Sequence, residues 1–246
     1  MIDLPSDLIH ALHAARHIAV LTGAGVSAES GIPTFRQAQT GLWAQYDPQE
    51  LATPDAFRRH PKLVWEWYAW RRALVAAARP NAGHYALVEL ARRAPRFTLI
   101  TQNIDNLHQD AGSADVIELH GNIRRTKCFR EDTPIDDWPD TGEIPPRCPR
   151  CGDYLRPDVV WFGEALPPGK LQAALDAAEA CDLFFSIGTS GLVEPAASLA
   201  RLALQRGARV VEINPTVTPL TPHATFVLSA PSGKVLPALL RAAWPR

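Results

Sequence analysis

No apolar run in this sequence approaches the roughly 20 residues needed to cross a bilayer; the longest, such as Leu183 to Ile187, are far shorter. The first ten residues lack both a basic start and a long apolar stretch and carry Asp3 and Asp7, so they do not read as a secretory signal. A cytoplasmic home is the expectation. An excess of charge of one sign is missing too. The 25 Lys and Arg against 26 Asp and Glu leave a formal net charge of −1, which argues against the positive field that drives nonspecific nucleic-acid binding. Cysteine is scarce, with four in 246 residues, two of them in Cys148-Pro-Arg-Cys151. That spacing suits metal binding in a reducing compartment better than a disulfide framework. Internal repeats and low-complexity tracts are absent. A monomer with no membrane and no nucleic-acid partner is expected.

The composition that is present, 46% apolar and 21% charged, is that of an ordinary globular chain. At this length one domain can bury a substantial core. Leu8 to Arg16 reads as a short amphipathic helix, and Ile18 to Thr22 as a buried parallel strand ending in glycine. Similar short runs recur at Phe97 to Thr101, Val116 to Leu119, Leu183 to Ile187 and Arg209 to Ile213, with helical periodicity over Lys170 to Glu179 and Ala196 to Arg206. The alternation predicts an α/β fold, a Rossmann-like and mainly parallel sheet. Two stretches break it. Gln37 to Arg79 is tryptophan-rich and interrupted by prolines, with a helix predicted from Pro61; Lys127 to Pro157 is rich in Pro, Asp and Cys. A core of residues 1–36, 80–126 and 158–246 is therefore expected, with a small inserted module of 37–79 and 127–157. The module would have a helical part and a part resembling a zinc ribbon.

The chemistry-bearing residues sit where strands end. Gly23-Ala24-Gly25-Val-Ser27-Ala28 follows the first strand, where small residues let a dinucleotide's phosphates approach a helix N-terminus. A plain tight turn is the bland alternative. A dehydrogenase would continue through a helix to a second strand ending in an acidic residue about 20 positions on; here Glu29-Ser-Gly-Ile-Pro-Thr34-Phe35-Arg36 follows instead, and its glycine and proline disfavour a long helix. Thr101-Gln102-Asn103-Ile104-Asp105 follows another strand, and there Asn103 or Asp105 is equally readable as a helix N-cap. Glu118-Leu-His120-Gly121 puts an imidazole directly after a third. By itself such a histidine is more often structural than catalytic.

Taken together these segments resemble the sirtuins, in matches running from about Val20 to Gly233. The resemblance implies that NAD is consumed as a co-substrate rather than used to carry hydride. The stretch through Thr34, Phe35 and Arg36 would lie over the nicotinamide ribose. Gly23, Ala24, Gly25, Ser27, Ala28, Gln102 and Ile104 would line the dinucleotide site. Asn103 would orient the ribose and a water, and Asp105 would hold the nicotinamide amide. Gly188, Thr189, Ser190, Val193, Asn214, Pro215 and Ser232 would face the adenosine half. His120 becomes the general base, because imidazole titrates near neutrality and can take a ribose hydroxyl proton. The implied reaction removes acyl groups from lysine side chains of proteins and yields nicotinamide and O-acyl-ADP-ribose.

Val160-Trp161-Phe162-Gly163 looks like the segment that pairs with substrate backbone as an added strand. Tyr68 and Arg71 are three apart on the helix predicted from Pro61 and share a face. They resemble the Tyr-x-x-Arg pattern of sirtuins that remove succinyl, malonyl and glutaryl groups, in which guanidinium and phenol grip a terminal carboxylate. Ala38 would leave room for that chain. The family also carries two Cys-x-x-Cys pairs suited to structural zinc. This chain has Cys128, Cys148 and Cys151, with Glu131 where the fourth thiol is expected. Zinc held by three cysteines with Glu131 or water stands against a metal-free loop, and Cys181 reads as a buried structural residue. An NAD-dependent oxidoreductase, an ADP-ribosyltransferase and a noncatalytic NAD sensor remain as alternatives. NADH production would mark the first, and label from NAD retained on protein the second. The joint presence of Asn103, Asp105 and His120 disfavours the third.

Overall fold

A computed structural model describes residues 3–33 and 45–245. Thr34, Phe35, Arg36 and Ala38 lie outside the described residues.

Six short strands form one sheet. They are β1 (His17–Thr22), β2 (Arg96–Thr101), β3 (Ile117–Glu118), β6 (Leu183–Ile187), β7 (Arg209–Ile213) and β8 (Phe226–Leu228). The order is β3-β2-β1-β6-β7-β8 and every pairing is parallel. All six residues of β1 are buried, as a central strand covered on both faces requires. Alternate side chains serve opposite layers. Ile18 and Val20 pack with α1 (Ser6–Ala14), α5 (Ala82–Arg93) and α9 (Ser232–Ala243). Ala19 and Leu21 pack with α7 (Pro168–Ala180) and α8 (Ser198–Gln205). The predicted Rossmann-like sheet is thus present. β8, α5 and α9 were not anticipated. β8 is three residues long, too short for an alternation to register.

The chain leaves β1 toward β2 and β3 and later crosses to β6, so strand order reverses between β2 and β6, next to β1. At such a switch point the loops leaving adjacent strands diverge and open a crevice at the strands' C-terminal edge.

Outside the sheet lie α2 (Pro48–Leu51), α3 (Pro54–Arg59) and α4 (Pro61–Ala77), together with the antiparallel pair β4 (Gly121–Cys128) and β5 (Leu155–Val159). In α4 the buried residues Val64, Trp67, Tyr68 and Val75 recur at helical spacing and form one stripe. The stripe meets Ile123, Val159 and Trp161 in an apolar cluster of its own. β4 and β5 run across the boundaries expected at 126/127 and 157/158. A sixth helix, α6 (Leu107–Asp110), follows β2.

Candidate active site

The loops after β1 and β6 touch backbone to backbone. Gly25 donates its amide to the Gly188 carbonyl at 2.8 Å. Gly188 has φ +60°, and a Cβ on it would lie 2.5 Å from the Val26 nitrogen. Only glycine tolerates both that dihedral and that contact. Beyond Gly25 the chain makes two single 3-10 turns, Ala24–Val26 and Ala28–Ser30, in place of a long helix. The glycine and proline there carry the expected consequence.

Side chains from the β1 and β2 ends then bond one another. Ser27 Oγ donates to Asp105 Oδ2 at 2.6 Å and accepts from Asn103 Nδ2 at 3.1 Å. Asp105 Oδ1 accepts the Leu107 amide at 2.9 Å, but the cap residue of α6 is Asn106, so the helix N-cap expected at Asn103 or Asp105 falls one residue later. Burial raises the Asp105 pKa, and the Ser27 hydroxyl and Leu107 amide oppose the shift. The Asn103 amide donates to Thr101 Oγ1 at 3.0 Å.

His120, just after β3, lies beside the same strand ends. Its Nδ1 is 3.0 Å from the Gln102 carbonyl oxygen. A carbonyl only accepts, so Nδ1 carries the proton and the neutral ring presents Nε2 as a lone pair. Burial lowers the His120 pKa, with the Gln102 carbonyl opposing. This is a base held in its unprotonated form at neutral pH.

On the other side of β1, Gln102 Nε2 donates to Thr189 Oγ1 at 2.9 Å and Asn214 Nδ2 to the Thr189 carbonyl at 2.8 Å. These bonds tie together the loops leaving β2, β6 and β7. Glu29 accepts the Gly233 amide at 2.7 Å, which brings the start of α9 to the same edge. Ser232, expected in a turn, is the first residue of that helix, and its hydroxyl is buried without a partner among the described residues. Ser190 is half-buried, Val193 close after it is exposed, and Pro215, after β7, is exposed too.

Four residues that sequence reasoning missed lie beneath this edge. Thr22 Oγ1 bonds Thr101 Oγ1 at 2.8 Å and His108 Nε2 at 2.9 Å, and the His108 and His84 rings are 4.9 Å apart. Burial pushes the imidazoles down to about 3 for His108 and about 4 for His84. The readable signal was Asn81-Ala-Gly-His84, a reciprocal helix cap in which His84 Nδ1 accepts the Asn81 amide.

Tyr68 and Arg71 do share a face. The Arg71 guanidinium carbon is 5.5 Å from the Tyr68 ring centre and 4.9 Å from that of Trp67. Trp161 is buried, its indole N–H donating to the Tyr68 hydroxyl at 3.0 Å. The amides of Val160, Trp161 and Phe162 are all used within the chain, by His120 O, Glu164 Oε2 and Ala52 O. Phe162 and Gly163 are exposed beyond them.

Cys128, Glu131, Cys148 and Cys151 come together, their ligand atoms all within 4.8 Å of one another. Tetrahedral zinc with bonds of about 2.3 Å to sulfur separates its ligand atoms by roughly 3.8 Å, so three thiolates and a carboxylate fit. Cys128 and Cys151 sulfurs are 3.4 Å apart, and the Glu131 amide points at the Cys128 sulfur, also at 3.4 Å. Cys181 stays apart, buried against the Ala178 carbonyl.

The Sir2 family model matches residues 23–195. A protein named NAD-dependent protein deacylase from Methylococcus capsulatus is 54% identical over 248 residues, covering 98% of this chain and 97% of its own. Among solved structures, a Sir2 homolog–NAD complex superimposes with a TM-score of 0.91 at 45% identity, covering 98% of this chain and 94% of that one. A Sir2–p53 peptide–NAD+ complex superimposes with a TM-score of 0.85 at 31% identity, covering 96% and 97%.

Proposed function

The chain belongs to the Sir2 family, and from that premise we propose that it is an NAD-dependent protein-lysine deacylase that accepts acyl chains ending in a carboxylate. The carrying observation is the strand-end cluster. Ser27, Asn103 and Asp105 are bonded to one another, while His120 is fixed with Nε2 unprotonated. NAD supplies an activated sugar: the acyl oxygen displaces nicotinamide from it, and the acyl group ends as O-acyl-ADP-ribose. The residues of this chain hold and deprotonate. Asn103, facing the nicotinamide ribose, and Asp105, holding the nicotinamide amide, are locked by Ser27 and need no reorganisation as charge develops. His120 Nε2 takes the ribose hydroxyl proton, its ring held by the Gln102 carbonyl. The loops of Gly188, Thr189, Ser190 and Asn214 receive the adenosine half, with Ser232 at its edge.

The lysine enters along Val160 to Gly163, and Tyr68 and Arg71 receive the far end of the acyl chain. Burial lowers the basicity of Arg71, with Tyr68 and Asp105 opposing the shift, and its planar guanidinium is a donor-only group that can grip a carboxylate bidentately. The core and inserted module act as two bodies with the acyl-lysine between them. Zinc on Cys128, Cys148, Cys151 and Glu131 would cross-link the β4–β5 end of the module and take no part in the chemistry.

Incubation of a panel of acyl-lysine peptides with NAD, followed by mass spectrometry, tests this. Free nicotinamide, unmodified lysine and O-acyl-ADP-ribose are expected in equal amounts, with succinyl and malonyl peptides among the substrates. Turnover confined to acetyl-lysine would refute the carboxylate reading.

A further inference from the structure

The pocket side of Tyr68 carries an arrangement that the Tyr68–Arg71 pair alone does not explain. Trp161 is 1% exposed, and Arg156, 2% exposed, lies flat against it with its guanidinium carbon 3.3 Å from the ring centroid. Arg156 is itself held at both ends. It bonds Glu164 through Nη1 at 2.5 Å and Nη2 at 3.0 Å, and Nη2 also donates to the Val159 carbonyl at 2.7 Å. Glu164 closes the loop by accepting the Trp161 amide at 2.8 Å. Phe57 covers the indole at 5.2 Å between ring centres. With backbone and ring both fixed, the indole N–H has one direction, toward the Tyr68 hydroxyl at 3.0 Å.

That direction matters because an indole N–H only donates. The Tyr68 oxygen must accept from it, so the phenol's own proton points elsewhere. Arg71, a second polar side chain beside Tyr68, is also donor-only and interacts with the phenol. The nearby carboxylate, Glu164, is engaged by Arg156 and by the Trp161 amide. The phenol proton is therefore directed away from these donors, where an acceptor on the substrate would meet it.

Resting on the acyl-pocket reading above, we infer that Trp161 is a positioning residue for acyl specificity: its indole N–H, braced by Arg156 and Glu164, fixes Tyr68 as a hydrogen-bond donor toward a carboxylate-terminated acyl chain. A neutral acetyl group gains nothing from this bond. A succinyl or malonyl carboxylate gains a short charge-assisted one. Without the indole donor the phenol proton is no longer held in this direction, and the site loses part of its preference for a carboxylate-terminated chain.

Trp161→Phe keeps an aromatic ring between Arg156 and Phe57 and removes the N–H. The readout is the ratio of kcat/KM for succinyl-lysine and acetyl-lysine versions of one peptide, which does not depend on the fraction of folded enzyme. The ratio should fall about five- to tenfold, the size of one ordinary hydrogen bond, because the charge-assisted bond is loosened rather than removed. Tyr68→Phe should lower it at least as much, and the double variant no further than Tyr68→Phe alone. An unchanged ratio in Trp161→Phe, with Tyr68→Phe still selective, overturns the role of Trp161 and leaves the pocket standing. A Tyr68→Phe variant that also leaves the ratio unchanged overturns the pocket and this inference together.

Discussion

At the strand ends, polar side chains find one another: Ser27, Asn103 and Asp105 are linked directly, and His120 leans on a main-chain carbonyl. In the aromatic module beside α4 the guanidinium groups lie on rings as well, with Arg156 on Trp161 and Arg71 on Trp67 and Tyr68. The first region is closed on itself and suits a chemistry common to every substrate. The second is rich in donors and takes its meaning from what the substrate brings. On the proposed reading, a sirtuin can keep its reaction and change its acyl preference by altering the second region only.

The two regions should separate cleanly under mutation. His120→Tyr removes the base and should lower kcat/KM about 10³-fold for every acyl group, with an unchanged melting curve. In the unmutated enzyme kcat/KM should fall on the acid side with an apparent pKa below 6.5, because burial lowers the His120 pKa and only the neutral ring accepts a proton. An acid limb centred above 6.5 would contradict the assignment.

The histidines beneath the strand ends should make their region acid-sensitive in a way the module is not. His84 and His108 titrate near 4 and 3 when folded and near 6.5 when unfolded. Between those values the unfolded chain binds more protons, so stability falls as pH drops below about 6.5. Urea denaturation should show roughly 2–4 kcal/mol less stability at pH 5 than at pH 7, and His108→Asn should remove about half of that difference. A flat profile would mean that these rings are charged in the folded protein.

Gly188→Ala strikes the contact between the two loops. Its positive φ and the 2.5 Å approach to Val26 predict a loss of about 2–3 kcal/mol, seen as a melting temperature lower by roughly 5–10 °C. Arg71→Met should instead leave the melting temperature nearly as it is and lower the succinyl-to-acetyl ratio of kcat/KM about 10- to 100-fold. Equal losses for both acyl groups would show that Arg71 does not read the carboxylate. The smallest effect belongs to Glu131→Ala. Purified protein should contain close to one zinc per chain by elemental analysis, and the variant should release it to a chelator about tenfold faster, with deacylation retained. Less than a few tenths of a zinc in the unmutated protein would remove the metal.

The same contrast explains what could be read from the sequence. β6 and β7 form over the residues expected, Leu183–Ile187 and Arg209–Ile213, because a continuous apolar run bounded by glycine or polar residues has few other ways to be buried. The residues directly after β1, β2, β3 and β6 were legible as a site because a parallel sheet delivers successive strand ends to one edge. Trp161 was not legible in its side-chain role. Its partner Tyr68 lies 93 residues away, and no periodicity links a helix stripe to a residue following β5. The β4–β5 ladder was hidden for a similar reason. It has a register shift between Asn122 and Thr126 and a proline, Pro157, inside β5, which dilute alternation. The clustering of Glu131 with three cysteines was legible through the family resemblance, which expects a ligand three residues after Cys128, where a turn returns the chain to its own sulfur.

The central claim is that the strand-end cluster makes the sugar of NAD the electrophile and passes the acyl group to it. Single-turnover incubation of the enzyme with NAD and a succinyl-lysine peptide, with products separated and weighed by mass spectrometry, addresses it directly. The account predicts one free nicotinamide and one O-succinyl-ADP-ribose for each lysine released. Formation of NADH, retention of ADP-ribose on protein, or no nicotinamide with any acylated peptide would contradict it.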